Sequence, residues 1–305
     1  MLGCLVLGVL AVCLWPEGPP PPASRPVLVA PDAAGPFSFA ILSDRTGGAV
    51  PGKWAEAVEH VNRLEPDFVM SVGDFIEGYT SDEADLRRQW EEVDAITRRL
   101  KARFFYCPGN HDVDGDEARR VYTELHGLNG RTYYSFDFCG CHFVIVDTGR
   151  LPKRCEAELA APQMAWLAGD LAAARHARRV FVFSHFPLHA EPSWKQLRAM
   201  IDPAKTTMFG GHWHALSHTV ADGVDSIVLS ASAAHRPNAN PKEGKFNAVA
   251  HVVVRDGEPT ITIVPLEADK AQYRTVIGKA PAAAAPSAVN TLAPPKPTDS
   301  DPWAF

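Results

Sequence analysis

Side chains able to hold a metal ion or move a proton recur in this sequence wherever an apolar run ends. Asp44 closes FSFAILSD (37–44), Asp74 closes DFVMSVGD (67–74), and Asn110 closes RFFYCPGN (103–110), with His111 and Asp112 directly after it. His185 closes RVFVFSH (179–185), and TTMFGGH (206–212) ends in His212, two residues before His214. In open α/β sheets, ligands bind beyond the carboxyl ends of the strands. Carboxylates, an amide oxygen and imidazoles delivered there form a hard-to-borderline donor set suited to Mn, Fe or Zn. His212 and His214 read as part of an extended segment, which would project both rings to one side, and Gly210 and Gly211 remove bulk beside them. Taken singly, each residue has a plainer reading. Asn110 can fill a left-handed turn, Asp74 can cap the next segment, and a lone His185 is commonly a packed histidine. Five such endings in one chain point to a shared site.

The elements that must carry these residues are visible in the periodicity. The five apolar runs, together with HFVIVDTG (142–149), read as buried strands. Helical spacing of three and four separates several of them. Trp54, Val58 and Val61 make one apolar face, Leu86, Trp90, Val93 and Leu100 a second, and Met164, Leu167 and Leu171 a third. The later sequence turns strand-rich at SIVLSAS (226–232), NAVAHVVVRDG (247–257) and PTITIVPL (259–266), with VRDG as a hairpin turn. Buried strands joined by helices argue for an α/β core, and the strand-rich second half for a further sheet packed on the first.

The rest of the chain limits the reading. With 46% hydrophobic residues and a formal net charge of −6, it is an ordinary globular composition with no basic field, which argues against general nucleic-acid binding. Residues 2–15, LGCLVLGVLAVCLW, are uninterrupted apolar and are followed by a proline-rich stretch. The run is short for a membrane span, which needs about 20 residues, but suits an export signal or an anchor. The expected organisation is a leader and linker over 1–35, one domain over 36–270, and a disordered Ala/Pro-rich tail over 271–305. Export to the periplasm, secretion or membrane attachment is the corresponding expectation for localisation. Cys107, Cys139, Cys141 and Cys155 have no zinc-ribbon spacing. They read as small buried thiols or one incidental disulfide.

The order SD (43–44), VGD (72–74), PGNHD (108–112), FSH (183–185) and GGHWH (210–214) resembles the calcineurin-like metallophosphoesterases, whose pattern runs D-x-H, GD, GNH[D/E], H, GHxH. The resemblance spans about residues 37–266. It implies a four-layer α-β-β-α sandwich of two mixed sheets flanked by helices, with two divalent metal ions at one edge. It further implies that Asp74 bridges the ions, that Asn110, His185 and His212 complete one shell, and that Asp44 and His214 hold the other ion. His111 would be the proton donor beside the substrate, with Asp112 orienting its ring. The substrate class implied is a small-molecule phosphate mono- or diester, attacked by water that two ions ~3.5–4 Å apart activate.

One position departs from the pattern: Thr46 stands where the family has a histidine. Three answers are open. Water fills the gap and leaves a weak ion; the site holds one metal or none that matters; or another residue steps in. Glu77 in GDFIEGY (73–79) is the preferred substitute, with Tyr79 in reserve. Some purple acid phosphatases, which resemble this family, also lack that histidine and place a tyrosine ligand at the offset Glu77 occupies. The alternative to an enzyme is a non-catalytic metal- or phosphate-binding module whose site has degraded at Thr46. GGAVPGKW (47–54) approximates a P-loop. However, Trp54 stands where a hydroxyl is needed and Pro51 removes an amide. A surface helix opening at Lys53 is the expectation there.

Overall fold

Apolar strands joined by helical returns pair in parallel, and in this protein they do so twice. The computed structural model describes residues 35–149, 159–234 and 240–278. Strands β1 (Phe37–Leu42), β2 (Phe68–Ser71) and β3 (Arg103–Phe105) are linked by helices α1 (Lys53–Leu64) and α2 (Glu83–Thr97). They lie parallel, with Ile41 opposite Met70 and Val69 opposite Phe104. After α3 (Asn110–Val113) and α4 (Gly115–His126), the chain builds a second sheet from β4 (Tyr134–Phe138) and β5 (Cys141–Ile145). Helix α5 (Ala161–Ala173), β6 (Val180–Phe183), α6 (Trp194–Arg198) and β7 (Thr206–Gly210) continue it, and β8 (Ser217–Ala221) and β9 (Val224–Val228) complete it. The chain then returns to the first sheet as β10 (Ala248–Arg255), β11 (Glu258–Pro265) and β12 (Thr275–Ile277). The sheet orders are β12-β11-β10-β1-β2-β3 and β4-β5-β6-β7-β9-β8, both mixed.

Three apolar clusters glue four layers. Between the sheets the filling is aromatic: Phe39 is fully buried, with its ring centroid 5.4 Å from Phe68, 5.5 Å from Phe143 and 5.3 Å from Phe181. Cutting such a ring back to alanine costs about 3–5 kcal/mol. Outside the first sheet, Trp54, Val58 and Val61 of α1 and Leu86, Trp90 and Val93 of α2 form the second cluster. Outside the second sheet, Met164, Leu167 and Leu171 of α5 form the third. The expected helix faces are the ones buried, and the architecture is two mixed sheets flanked by helices.

Several elements were not visible in the periodicity. Helix α4 carries five charged residues among its twelve and buries only Ala118, Val121 and Tyr122. Strand β8 is an edge strand with polar and half-exposed positions, Val220 among them at 62% exposure. Strand β12 pairs with β11, so the folded region runs past the expected boundary at 270 to include Thr275–Ile277; Tyr273 stacks on Phe246 and seats this short strand. The VRDG turn forms as expected, with Asp256 at φ 53° and Gly257 at φ 80°, the paired positive φ values of a hairpin turn that matches strand twist. Cys107, Cys139 and Cys141 are buried free thiols. No helix among the described residues is long and apolar enough to cross a membrane. The leader and linker expected over 1–35 fall outside the described residues but for Gly35, as do the tail beyond 278 and Cys155.

Candidate metal centre

Because β1, β2 and β3 of one sheet and β6 and β7 of the other run parallel within their sheets, the loops that follow them deliver polar side chains to one edge. Their ligand atoms fall into two groups that share Asp74. Asp74, His185 and His212 form one, and Asp44, Asp74 and His214 the other, with all atoms of a group within 4.8 Å of one another. His185 Nε2 lies 3.1 Å from Asp74 Oδ2 and 3.1 Å from His212 Nδ1. His214 Nε2 lies 3.0 Å from Asp44 Oδ1.

The backbone around these atoms is fitted to them. Gly109 packs so tightly on Asp74 that a Cβ there would strike the carboxylate, and a Cβ on Gly47 would come 2.8 Å from His214 Cε1. Asp74, His212 and His214 all have positive φ, at 62°, 66° and 49°. Non-glycine residues in that region cost of order 1–3 kcal/mol and collect at functional sites. His212 and His214 therefore do not share a side through strand alternation, as the sequence suggested. Strand β7 ends at Gly210, and a left-handed turn aims each ring separately.

Hydrogen bonds fix the directions of the donors. His185 Nδ1 donates to the Val72 carbonyl at 2.9 Å, leaving Nε2 to face Asp74, an arrangement usual for metal-binding imidazoles. Asp44 accepts from the Ser43 hydroxyl and, at 3.0 Å, from the His212 amide. Asn110 gives its Nδ2 to the Tyr79 hydroxyl at 2.6 Å, while its Oδ1 is buried with no hydrogen-bond partner. The next residue's amide, that of His111, donates to Asp74 Oδ1 at 3.0 Å, so the orphaned oxygen belongs to a loop end that meets Asp74, and an orphaned buried amide oxygen fits a divalent cation.

Electrostatics agree with that fit. Burial alone would raise the Asp44 carboxyl, but His214, His185 and Ser43 outweigh it and hold it well below the usual range. Asp74 is lowered in the same way, burial being overcome by His185 and His111. Burial would depress His185, yet Asp74 and Asp44 hold it up at about 9. Burial and the His185 charge push His212 down to about 3. Two buried carboxylates thus demand positive charge, and the ring placed to answer them is His185.

Other expected site residues take different places. His111 Nδ1 donates to the Glu77 carbonyl at 2.7 Å, and its Nε2 faces Asp74 Oδ2 at 4.0 Å. Asp112 was expected to orient that ring. Instead its buried carboxylate accepts backbone N–H groups from Asp74, Phe75 and Gly109 at 2.8 Å and Ile76 at 3.2 Å. It is pushed up to about 6 by burial and by Asp74, against the pull of those amides. Asp112 holds the loops together, and a backbone carbonyl sets the imidazole. Glu77 stands apart from both ligand groups: it is exposed, and its carboxylate accepts from the Ala49 amide at 3.4 Å. Thr46 is fully buried, its hydroxyl without a partner. Arg45 bonds the Phe75 carbonyl at 2.8 Å and Glu92 at 3.1 Å, so it is committed to the scaffold. Lys53 opens α1 and pairs with Glu56 and Glu267, which leaves no phosphate-cradling role for the glycine-rich loop. Ser232, whose hydroxyl accepts the Ser43 amide at 3.0 Å, carried no signal in the sequence because its partner is 189 residues away.

Known proteins share this fold. The family profile described as calcineurin-like phosphoesterase matches residues 37–216. A dimetal phosphatase from Danio rerio is similar in structure, with 15% identity and a TM-score of 0.60, over 79% of this chain and 98% of its own. GAP50, the anchor in the inner membrane complex of Plasmodium, gives 14% identity and a TM-score of 0.59, over 80% and 89%. The purple acid phosphatase PPD1 from yellow lupin seeds gives 13% and 0.56, over 76% of this chain and 52% of its own. No curated protein sequence matches the chain.

Proposed function

The chain belongs to the calcineurin-like phosphoesterase family, and from that premise we propose that it is a metal-dependent hydrolase of small-molecule phosphate mono- or diesters. The observation that carries the reading is the pair of ligand groups joined at Asp74. Asp74, Asn110, His185 and His212 would hold one divalent ion, and Asp44, Asp74 and His214 the other. When bound, such ions supply a nucleophilic water at neutral pH and neutralise phosphoryl charge.

The chain's own residues do the rest. His111 keeps its Nδ1 proton on the Glu77 carbonyl, so Nε2 is the atom that would carry a proton to the departing alkoxide, a task suited to imidazole near neutral pH. Asp112 keeps the Gly109 and Asp74 loops in register through its four amide contacts. We propose that the protein acts outside the cytoplasm, exported or attached through the apolar residues 2–15. Thr46 favours a second reading, because a hydroxyl where the family has an imidazole weakens one site. On that reading the chain is a binding module without turnover.

Hydrolysis of p-nitrophenyl phosphate and its bis ester with added Mn²⁺ separates the two. Turnover that is lost in His111→Ala supports the hydrolase. Stoichiometric Mn²⁺ uptake without turnover across a broad ester panel supports the module.

A further inference from the structure

Tyr79 is the exposed aromatic ring nearest this chemistry. Among the described residues only Tyr79 and Val220 are large apolar side chains left exposed, at 47% and 62%, and Val220 lies on the edge strand β8. Tyr79 is held in place by its loop. Phe75 and Ile76 are fully buried against the α1–α2 cluster, where Phe75 meets Trp54 at 5.8 Å and Trp90 at 5.9 Å between centroids. The Gly78 amide donates to Gln89 Oε1 at 3.1 Å. Gly78 has φ 60° and presses on the His111 carbonyl so closely that a Cβ would collide with it. Tyr79 itself has φ 51°, a conformation that few residues other than glycine, asparagine or aspartate adopt. A bulky residue kept there needs a reason.

Contacts with Asn110 and His111 supply one. The phenol oxygen accepts from Asn110 Nδ2 at 2.6 Å, and the ring centroid lies 4.5 Å from that of His111. An amide has a donor end and an acceptor end, which a half-turn exchanges. With Nδ2 committed to Tyr79, the Asn110 oxygen is the atom left buried and unpartnered. The opposite orientation would present N–H groups in place of the oxygen and repel a cation. On the other side, the ring packs on an imidazole that the Glu77 carbonyl holds by its Nδ1.

We infer that Tyr79 is a positioning residue: its hydroxyl accepts the Asn110 amide N–H and so holds that side chain with its oxygen left over for the metal, and its ring steadies the His111 imidazole. The inference rests on the metal reading proposed above. It acts through Asn110 and His111 and asks for no contact between Tyr79 and substrate or ion.

Removal of the hydroxyl and removal of the ring separate the two roles. Tyr79→Phe should keep the melting temperature of the wild type but weaken Mn²⁺ binding in a calorimetric titration on the order of 10-fold, the lower bound usual when the partner of a metal ligand is removed. Its kcat should fall at limiting Mn²⁺ and recover at saturating Mn²⁺. Tyr79→Ala should in addition lose more activity on an alkyl phosphate than on p-nitrophenyl phosphate, because the poorer leaving group depends more strongly on a well-placed proton donor. Equal Mn²⁺ affinity in Tyr79→Phe and wild type overturns the inference alone, as does a kcat loss that excess Mn²⁺ leaves untouched. A wild type that takes up no Mn²⁺ overturns the metal reading, and the inference falls with it.

Discussion

Two regions of this molecule bury an imidazole between carboxylates, and only one of them has the makings of a metal site. On the second sheet, His142 reaches Asp137 through Nδ1 at 2.7 Å and Asp170 through Nε2 at 2.9 Å, and Asp170 also accepts from Ser135 at 2.7 Å. Every ring nitrogen there has its own acceptor, so one proton on each nitrogen closes the cluster. At the strand-end edge, His185 has one nitrogen on a backbone carbonyl, and the other converges with Asp74 and His212. More lone pairs meet there than protons can serve, with an unpartnered amide oxygen nearby. Both rings are buried, although Asp137 beside His142 is largely exposed while Asp44 and Asp74 are not. The count of acceptors against protons tells them apart, and it is the excess of acceptors that calls for a cation.

The sharpest way to break this contrast is to remove the atom both ligand groups share. Asp74→Ala should abolish Mn²⁺-dependent ester hydrolysis, by a factor of about 10³ or more given the charge stabilisation such sites supply, and should also abolish Mn²⁺ uptake in a dialysis and metal-analysis experiment. His142→Ala should leave both intact while lowering the melting temperature. If Asp74→Ala retains full Mn²⁺ stoichiometry, the acceptor count has been misjudged and the edge is a polar cluster like the other.

Asp112 is a closed cluster set inside the open one, which offers the next test. Asp112→Ala would strand four backbone N–H groups, and hydrogen bonds to a charged group contribute about 1.5–3 kcal/mol each at most. With partial rescue by water, a loss of about 3–5 kcal/mol in urea denaturation is the expected outcome. Should the variant fold with unchanged stability and lose only turnover, Asp112 would regain the imidazole-orienting role that the resemblance assigned to it.

That reassignment shows where the sequence was legible. The strand ends could be read because Asp44, Asp74, Asn110, His185 and His212 each terminate an apolar run, and burial of the run forces its end to the sheet edge. The helix faces of Trp54 and of Met164 were legible for the same reason, a periodicity with one solution. What a side chain bonds to across the fold is a different kind of fact. Asp112 and His111 are neighbours in the chain, yet one faces amides from the β2 loop and the other a carbonyl from that loop. The turn that aims His212 and His214 depends on backbone angles that no alternation pattern encodes. Helix α4 and strand β8 escaped notice because one buries only a narrow stripe and the other lies at an edge.

Within the edge itself the two ligand groups are unequal, and Thr46 is the place to test this. The resemblance adds the unpartnered Asn110 oxygen to the Asp74–His185–His212 group, whereas it leaves the group with Asp44 and His214 one ligand short at a buried hydroxyl. Thr46→His should tighten binding of the weaker Mn²⁺ ion by roughly 10-fold or more, since even outer partners of ligands change affinity by that much. Calorimetry should resolve two unequal sites in the wild type and more nearly equal ones in the variant. Two equal sites already present in the wild type would remove the asymmetry.

The closed cluster makes the smallest prediction and has a definite sign. Burial would lower the His142 imidazole, but hydrogen bonds and charge from Asp137 and Asp170 hold it up at about 9, above an unfolded value near 6.5. A group whose pKa is raised on folding stabilises the fold fully below its unfolded pKa, and that stability is lost as pH rises through the folded one. Asp137 is 65% exposed, so its half of the bridge is screened, and a contribution on the order of 1–2 kcal/mol is expected. The stability difference between wild type and His142→Gln, followed by urea denaturation, should therefore be flat up to about pH 6.5 and shrink towards pH 9 and above. A difference that instead grows with pH would mean the ring is neutral in the fold. The cluster would then be no charged bridge, and the contrast with His185 would lose its reference point.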